Sequence, residues 1–187
     1  MDLDRLAAAA RTLPILGFSG VAYRQTDPRR GPFDVQRVAT YEARWHRKGQ
    51  AVPIYATSSS ALVAMLEQAR HTEVRSASPV LPQRLLSDLQ VTGLPYVDYA
   101  NELVWQVLDL RRDDLIGDDY VIPQLLADVA REREDVLGFL GPSAAQLGAT
   151  TLAIFPEAIS AHVRVLSTQK VELRIVPSPA PPPPSSP

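Results

Sequence analysis

The spacing of apolar positions changes several times along the chain, and each change marks an expected element. A spacing of three to four residues predicts helices at 2–13, 61–69 and 122–135. Runs rich in β-branched and aromatic residues predict strands at 20–26, 52–56, 104–110, 136–144, 150–155 and 162–176. Because strands gather at both ends of the chain without a regular βαβ repeat, we expect an α+β fold with a split, partly antiparallel sheet and flanking helices.

Turn and capping signals set the limits of several elements. Pro14 ends the first helix, and the Gly/Pro-rich stretch 27–34 is predicted to be a loop. The hydroxyl-bearing residues 57–60 are typical of a helix N-cap, which makes 52–69 a strand-turn-helix unit. Between 80 and 98, prolines interrupt short apolar pairs, so we predict an irregular crossing with one short helix at 83–89.

The last eleven residues, PSPAPPPPSSP, contain seven prolines and no large apolar side chain. Such a segment has nothing to bury in a core and favours polyproline II or disorder. A spacer and a ligand for an SH3-like domain are the two roles open to it. We therefore divide the chain into a first helix at 1–17, a main domain at 18–176 and a Pro-rich tail at 177–187.

Composition excludes several classes of protein. A chain of 187 residues suits one domain with a full core. With 19 basic and 21 acidic side chains and a pI near 5.9, no bulk positive field favours nucleic acid. The absence of cysteine excludes disulfides, thiolate zinc sites and cysteine catalysis. Without a basic leader or a spanning stretch of about 18 apolar residues, we expect a cytoplasmic protein that does not contact a membrane.

The common catalytic signatures are missing from the sequence. There is no phosphate-binding GxxxxGK[ST] loop, no GxGxxG turn, no HExxH helix and no GxSxG elbow. Ser143 would need a histidine base to act as a nucleophile, and no histidine has a local feature that recommends it. Glu67 and His71 lie four residues apart on the expected helix, but two ligands are too few for a metal site.

The helix predicted after residue 60 carries one carboxylate in an unusual setting. Its run ALVAML ends at Glu67, whose neighbours on the helix face are Val63, Ala64 and His71. Apolar neighbours would hold the carboxylate away from open water, whereas an isolated helix glutamate is usually solvated. The segment alone leaves both roles open.

Five short motifs follow one another along the chain. They are Tyr23-Arg24, Arg44-Trp45, Tyr55 at the end of an apolar strand, Glu67, and the triplet Pro142-Ser143-Ala144. In this order they resemble the RES domain family, whose members are toxins of bacterial toxin-antitoxin pairs, and the similarity spans roughly residues 18–175. Two segments depart from the family pattern: Glu42-Ala43 replaces a Gly-Gly pair, and AIFPEAIS replaces a segment containing Asn-Pro.

The resemblance implies an ADP-ribosyltransferase-like mixed sheet and an enzyme that breaks the nicotinamide-ribose bond of NAD+, with water or phosphate as acceptor. Departure of neutral nicotinamide leaves positive charge on the ribose, which a carboxylate such as Glu67 stabilises. The two phosphates suit Arg44 as the first anchor and Arg24 as the second, because a guanidinium binds phosphate bidentately. NAD+ would be a substrate, and neither a cofactor nor a metal is implied.

The resemblance also assigns a role to each matching residue. The catalytic residues would be Arg44, Glu67 and Ser143, and the substrate-binding residues would be Arg24, Trp45 and Tyr55. Tyr55 would stack on nicotinamide, and Ser143 would hydrogen-bond to nicotinamide or ribose. Structural alternatives are core packing for Tyr55 and Trp45, a surface position or an ion pair for Arg24, and a turn for Ser143.

The expected partners are NAD+ and a cognate antitoxin protein that blocks the active site, and a homo-oligomer is a further open arrangement. Two other functions compete with NAD+ degradation. A non-catalytic interaction protein with the same fold is favoured by the Glu42-Ala43 replacement and by the altered segment after Ser143. A protein ADP-ribosyltransferase would use the same site but transfer ADP-ribose to a macromolecule.

Overall fold

The computed structural model describes residues 1–34, 38–73 and 83–172. Six helices have the bounds α1 Leu3–Arg11, α2 Ala61–Glu73, α3 Glu102–Leu108, α4 Arg112–Ile116, α5 Val121–Glu132 and α6 Ile159–His162. Six strands have the bounds β1 Leu16–Thr26, β2 Ile54–Thr57, β3 Arg84–Asp98, β4 Gly138–Pro142, β5 Thr150–Ile154 and β6 Val163–Val171. The Pro-rich tail at 177–187 lies outside the described residues. Within them, no helix is both long and apolar enough to span a membrane.

The sheet is mixed and splits along β3. Strand β1 pairs with one edge of β3 from Leu16 opposite Tyr96 to Thr26 opposite Leu85. The other edge of β3 is shared, because its first half pairs antiparallel with β6 and its last three residues pair parallel with β4. Strands β2 and β5 connect β4 back to β1, so five strands form a closed ring and β6 extends from it. The α+β class with a split mixed sheet is therefore confirmed.

Two elements differ from the sequence prediction because tertiary pairing and capping outweigh local propensity. The expected short helix at 83–89 is instead the first half of β3, which pairs with β1 on one edge and β6 on the other. The expected strand at 104–110 is instead mostly α3. This helix is capped by Asn101, whose Oδ1 accepts a 2.9 Å hydrogen bond from the Leu103 amide.

The core consists of two apolar clusters. The first contains α1, α5 and the aromatic residues Trp45, Tyr99, Phe139 and Phe155. Helix α1 begins at its N-cap Asp2 and buries Leu6, Ala7 and Ala10 in this cluster. The second cluster lies against the sheet around Ile54, Leu89, Val91 and Leu152. Helix α1 is thus packed into the same core as the main domain.

Candidate functional site

A cleft of about 570 Å³ lies between β1, β2, α2 and the loop before β2. Of the six residues predicted for the site, all except Ser143 line this cleft, and Ser143 lies directly behind it between the lining residues Pro142 and Ala144. The volume falls in the range of small-molecule sites, which is roughly 300–1,000 Å³. The fold therefore brings together residues that are far apart in the sequence.

Glu67 and Ser143 are in direct contact. The Ser143 hydroxyl donates to Glu67 Oε1 over 2.5 Å, and the Thr151 hydroxyl reaches the same oxygen at 3.5 Å. Among the described residues, Glu67 Oε2 accepts no hydrogen bond. The carboxylate is thus fixed through one oxygen while its residue lines the cleft.

Helix α2 places Glu67 by its apolar face. Ser60 caps the helix, because its Oγ accepts a 3.2 Å hydrogen bond from the Val63 amide. Val63 and Ala64 are buried against the sheet, and Glu67 lies one turn further along the same face. The glutamate that ends the apolar run is therefore directed at Ser143.

Ser143 is fully buried, and hydrogen bonds hold both its hydroxyl and its backbone. Its Oγ accepts hydrogen bonds from the amides of Ala145 at 3.1 Å and Gln146 at 3.2 Å, which forms a tight turn. Its own amide donates to Ala149 O over 2.8 Å, and its carbonyl accepts 2.9 Å from Arg112. The hydroxyl therefore has a fixed direction, toward Glu67.

Arg44 and Trp45 form the tip of a tight turn closed by Ala43 and His46. The Ala43 amide donates to His46 O over 3.0 Å, and the His46 amide donates to Ala43 O over 3.3 Å. Among the described residues, Asp109 is the only non-glycine with positive φ, so Glu42 and Ala43 adopt no conformation that favours glycine. The replacement of the family's Gly-Gly pair therefore does not strain this turn.

Arg44 points from this turn to the C-terminal end of α4. Its Nη1 donates to Leu115 O over 3.0 Å and to Gly117 O over 2.6 Å. The guanidinium also lies 5.2 Å from the centre of the Tyr120 ring. Carbonyl groups at a helix C-terminus carry partial negative charge, so they hold this cation in place at the cleft wall.

Trp45 packs mainly into the core. Only 5% of its surface is exposed, and its ring lies 5.1 Å from that of Phe139. A Cβ added at Gly141 would come within 2.5 Å of the indole, so the ring packs directly on the β4 backbone. Trp45 thus supports the strand that leads into Pro142 and Ser143, and it also lines the cleft.

Tyr55 is half-buried and pairs with His46. The Tyr55 hydroxyl is 2.9 Å from His46 Nδ1, and the two rings stack with centroids 5.9 Å apart. Burial raises the pKa of the Tyr55 phenol, which keeps it protonated at neutral pH. The backbone oxygen of Tyr55 accepts a 3.1 Å hydrogen bond from Arg24 Nη1.

Arg24 lines the cleft from β1 with much of its side chain buried. Burial lowers the pKa of Arg24 to about 10, with Asp34 and Tyr55 opposing the shift, so the guanidinium remains charged at neutral pH. Its buried Nε has no hydrogen-bond partner among the described residues. Arg24 makes no ion pair within 4.0 Å to a described carboxylate, and its direct bond is to a backbone carbonyl.

Helix α5 holds the loop that carries Arg44 through three polar side chains on one face. Gln124 donates to Ala43 O over 3.0 Å, and Asp128 pairs with Arg47 at 2.9 Å. Arg131 donates to Ala51 O over 2.7 Å while its guanidinium lies over the Phe155 ring. The spacing of four and three residues places all three on the side that meets the loop.

Sequence reasoning missed several residues of this site. His46 and Arg112 carry no recognisable motif, because each acts on a segment distant in the sequence. Thr151 lies in a strand-like run of the sequence that gives no sign of a site role. The spacing of the polar residues at 124, 128 and 131 indicates that one face of α5 holds a loop. Periodicity alone does not identify which loop this is.

The described residues contain no cluster of three or more His, Cys, Asp or Glu side chains that could hold a metal ion. The residues that line the cleft include the tethered carboxylate of Glu67, the predicted arginines Arg24 and Arg44, and the aromatic residue Tyr55. The fold and the site define a mixed α+β domain with a polar cleft sized for a small molecule.

The chain belongs to the RES domain family, whose model matches residues 19–175. A chain in the crystal structure of the M. tuberculosis MbcT-MbcA toxin-antitoxin complex has the same fold, with a TM-score of 0.74 and 20% sequence identity. The superposition covers 91% of the present chain and 94% of that chain. No curated protein gave a significant match.

Proposed function

We propose that the protein is a bacterial toxin that degrades NAD+ by cleaving the nicotinamide-ribose bond. The observation that carries this proposal is the Glu67–Ser143 pair at a cleft that also contains Arg24, Arg44 and Tyr55. A carboxylate fixed by a buried hydroxyl, beside two arginines and an aromatic ring, suits a dinucleotide whose nicotinamide ring is cationic until it leaves as the neutral amide. Membership of the RES domain family supports the same activity.

Glu67 stabilises the charge that develops when the bond breaks. The electron pair of the C–N bond leaves with nicotinamide, which becomes neutral, and the ribose carbon becomes positive. Oε1 is held by Ser143, so Oε2 is the oxygen that faces the ribose. With water as acceptor, its oxygen bonds to the ribose carbon and releases one proton to the solvent; a phosphate acceptor bonds through an anionic oxygen and has no proton to release. Ser143 acts by fixing the carboxylate, because its hydroxyl already has three hydrogen-bond partners.

The two arginines supply positive charge for the two phosphates of the substrate. Arg44 donates to two backbone carbonyls and Arg24 to one, so both guanidinium groups are held at the cleft before a ligand binds. Guanidinium groups held in advance lose little side-chain entropy when a phosphate binds. Tyr55 forms the aromatic wall on which the nicotinamide ring stacks.

The proposed partner is a cognate antitoxin that covers the cleft. The M. tuberculosis protein of the same fold was crystallised as a toxin-antitoxin complex. Several large apolar side chains are exposed on α2 and on the turn after Ser143, among them Leu62, Leu66 and Leu147. These residues would let a partner bind at the rim of the cleft.

The decisive experiment measures the products of NAD+ with purified protein, with and without phosphate. Free nicotinamide with ADP-ribose indicates hydrolysis, and nicotinamide with a phosphorylated ADP-ribose indicates phosphorolysis. We expect Glu67→Gln to lower turnover by about 10²-fold or more, because it removes the anion while preserving size. Glu134→Gln, an exposed surface change, should leave turnover unchanged.

A cellular experiment tests the toxin assignment separately. Expression in a bacterial host should lower cellular NAD+ before growth stops, and Glu67→Gln should prevent both effects. Growth arrest at constant NAD+ would instead favour transfer of ADP-ribose to a macromolecule. If the folded wild-type protein neither cleaves NAD+ nor arrests growth, the non-catalytic interaction protein is the better explanation.

A further inference from the structure

His46 is buried within the site but takes no part in the proposed chemistry. Only 2% of its surface is exposed, and the ring lies between two tyrosines. Tyr55 stacks on one side at 5.9 Å, and Tyr41 meets it edge-on at 5.6 Å. A polar ring in such an enclosed position needs an explanation, because burying a polar side chain costs free energy.

The two ring nitrogens of His46 have different surroundings. Nδ1 lies 2.9 Å from the Tyr55 hydroxyl, whereas the buried Nε2 has no hydrogen-bond partner within the described part of the chain. An unsatisfied buried polar atom typically costs about 1–3 kcal/mol. An apolar ring would avoid that cost, so stability alone does not account for a histidine here. What the histidine adds is the single bond to Tyr55.

The charged and titratable groups around His46 favour the neutral ring. Arg131 approaches from α5, and Tyr41 and Tyr55 face the ring from the loop and from β2. Burial and then the charge of Arg131 lower the pKa of His46 to about 4. At neutral pH the ring is therefore uncharged, with one nitrogen that donates and one that accepts.

The hydrogen bond to His46 restricts the side chain of Tyr55. Its backbone is fixed in β2, where its carbonyl accepts from Arg24, and the residue lines the cleft. A hydrogen bond at the hydroxyl holds the far end of the ring and restricts its rotation. A ring held in this way presents one face to a stacking ligand without further loss of entropy on binding.

We infer that His46 is a positioning residue that fixes the Tyr55 ring for stacking against the nicotinamide group, acting through Nδ1. This inference rests on the proposed function, since it assigns the aromatic wall to the nicotinamide end of NAD+. The same turn therefore fixes two parts of the site, because Arg44 lies two residues before His46 and reaches α4.

The test compares two replacements of His46 that have equal numbers of side-chain heavy atoms and differ in whether the δ atoms are polar. His46→Asn keeps a polar atom where Nδ1 stood, because the two side chains share their geometry to the δ position. His46→Leu fills similar space without a polar atom there. We expect His46→Leu and Tyr55→Phe each to raise KM for NAD+ by about 3- to 10-fold with a smaller change in kcat, because they loosen a binding surface. His46→Asn should restore KM to within about 2-fold of the wild type, and His162→Asn, outside the site, should leave it unchanged.

A double-mutant cycle decides whether His46 acts through the hydroxyl. The double variant His46→Leu/Tyr55→Phe should raise KM no more than either single change, since both remove the same bond. Additive effects, or an Asn variant as impaired as the Leu variant, would overturn the inference. Tyr55→Phe keeps the test valid if His46→Leu fails to fold.

A measurement without substrate separates this inference from the proposed function. The C–H resonances of the His46 ring, assigned with the Asn variant, should move in Tyr55→Phe and should not titrate between pH 8 and 5. Resonances that stay in place in Tyr55→Phe would refute the contact even if NAD+ is cleaved. If NAD+ is not cleaved but the resonances move, the proposed function fails and the His46–Tyr55 contact stands.

Discussion

Ser143 and Arg44 are anchored to opposite ends of the same short helix. Arg112, the first residue of α4, donates to the Ser143 carbonyl, and the carbonyls of Leu115 and Gly117 at the other end accept from Arg44. A helix of five residues is about 7.5 Å long and too short to bend appreciably. Helix α4 therefore sets the distance between the residue that fixes Glu67 and one of the cations of the cleft.

The first prediction concerns Arg112. Arg112→Gln should lower NAD+ turnover by about 10-fold, because the Ser143 turn loses its bond to α4 and positioning errors of a fraction of an ångström are costly in catalysis. The melting temperature should fall by only a few degrees. The adjacent Arg111→Gln is a matched control, since that side chain is exposed and pairs only locally with Asp114. Equal turnover in the two variants would show that α4 does not hold the Ser143 turn.

The second prediction concerns the hydroxyl of Ser143. Ser143→Ala leaves two backbone amides and Glu67 Oε1 without their common partner, so it should destabilise the protein by about 1–3 kcal/mol. Turnover should fall as well, and combining it with Glu67→Gln should add little because both act on one carboxylate. Thr151→Val is the control: its contact to Glu67 is longer, at 3.5 Å, and its effect should be smaller. Chemical denaturation and single-turnover kinetics provide the two readouts.

The third prediction concerns the packing of Trp45 on β4. Gly141→Ala places a methyl group 2.5 Å from the indole, and the backbone of β4 leaves little room for relaxation. We expect a loss of about 1–3 kcal/mol, which lowers the melting temperature by roughly 2–4 °C per kcal/mol in a domain of this size. Gly17→Ala is the control, since nothing lies within 4 Å of its added Cβ. If both variants melt alike, the indole does not constrain β4.

The fourth prediction concerns pH and His46. The pKa of His46 is lowered from 6.5 to about 4 in the folded protein, so the unfolded chain binds a proton first as pH falls. Stability should therefore decrease as pH falls from about 6.5 to about 4, by up to about 3 kcal/mol for this group. The measurement is the difference in unfolding free energy between wild type and His46→Asn across this pH range. A constant difference would mean that His46 binds its proton over the same pH range in the folded and the unfolded chain, so that its pKa is not lowered by folding.

Much of the fold could be predicted from the sequence because its pattern is local. Helices α1, α2 and α5 and the strands β2, β4, β5 and β6 match apolar runs and capping residues that the sequence displays. Strand β3 could not be predicted, because its first half carries a helix-like pattern and becomes a strand only when β1 and β6 pair with both of its edges. Helix α3 depends on the Asn101 cap, a signal weaker than the β-branched residues beside it.

The sequence predicts which residues belong to the candidate site but not the contacts between them. The family pattern contains both Glu67 and Ser143, but it does not reveal their contact, which joins residues 76 positions apart. His46 was one histidine among three without a distinguishing neighbour in the sequence. The contact between His46 and Tyr55 forms only when the 43–46 turn is folded against β2, so the sequence does not reveal it. Contacts of this kind depend on tertiary geometry, which periodicity does not encode.

The closed ring of strands also affects how the chain folds during its synthesis. Strand β1 pairs with β3, and the ring closes only when β4 and β5 join β3 to β2, so its contacts are mostly non-local. Chains dominated by non-local pairing fold slowly, because loop-closure entropy is lost before contacts compensate for it. The contact between Glu67 and Ser143 can form only after the ribosome has released the turn that follows β4. A nascent chain therefore carries no assembled cleft until most of it has been synthesised, which gives a partner protein time to bind as folding is completed.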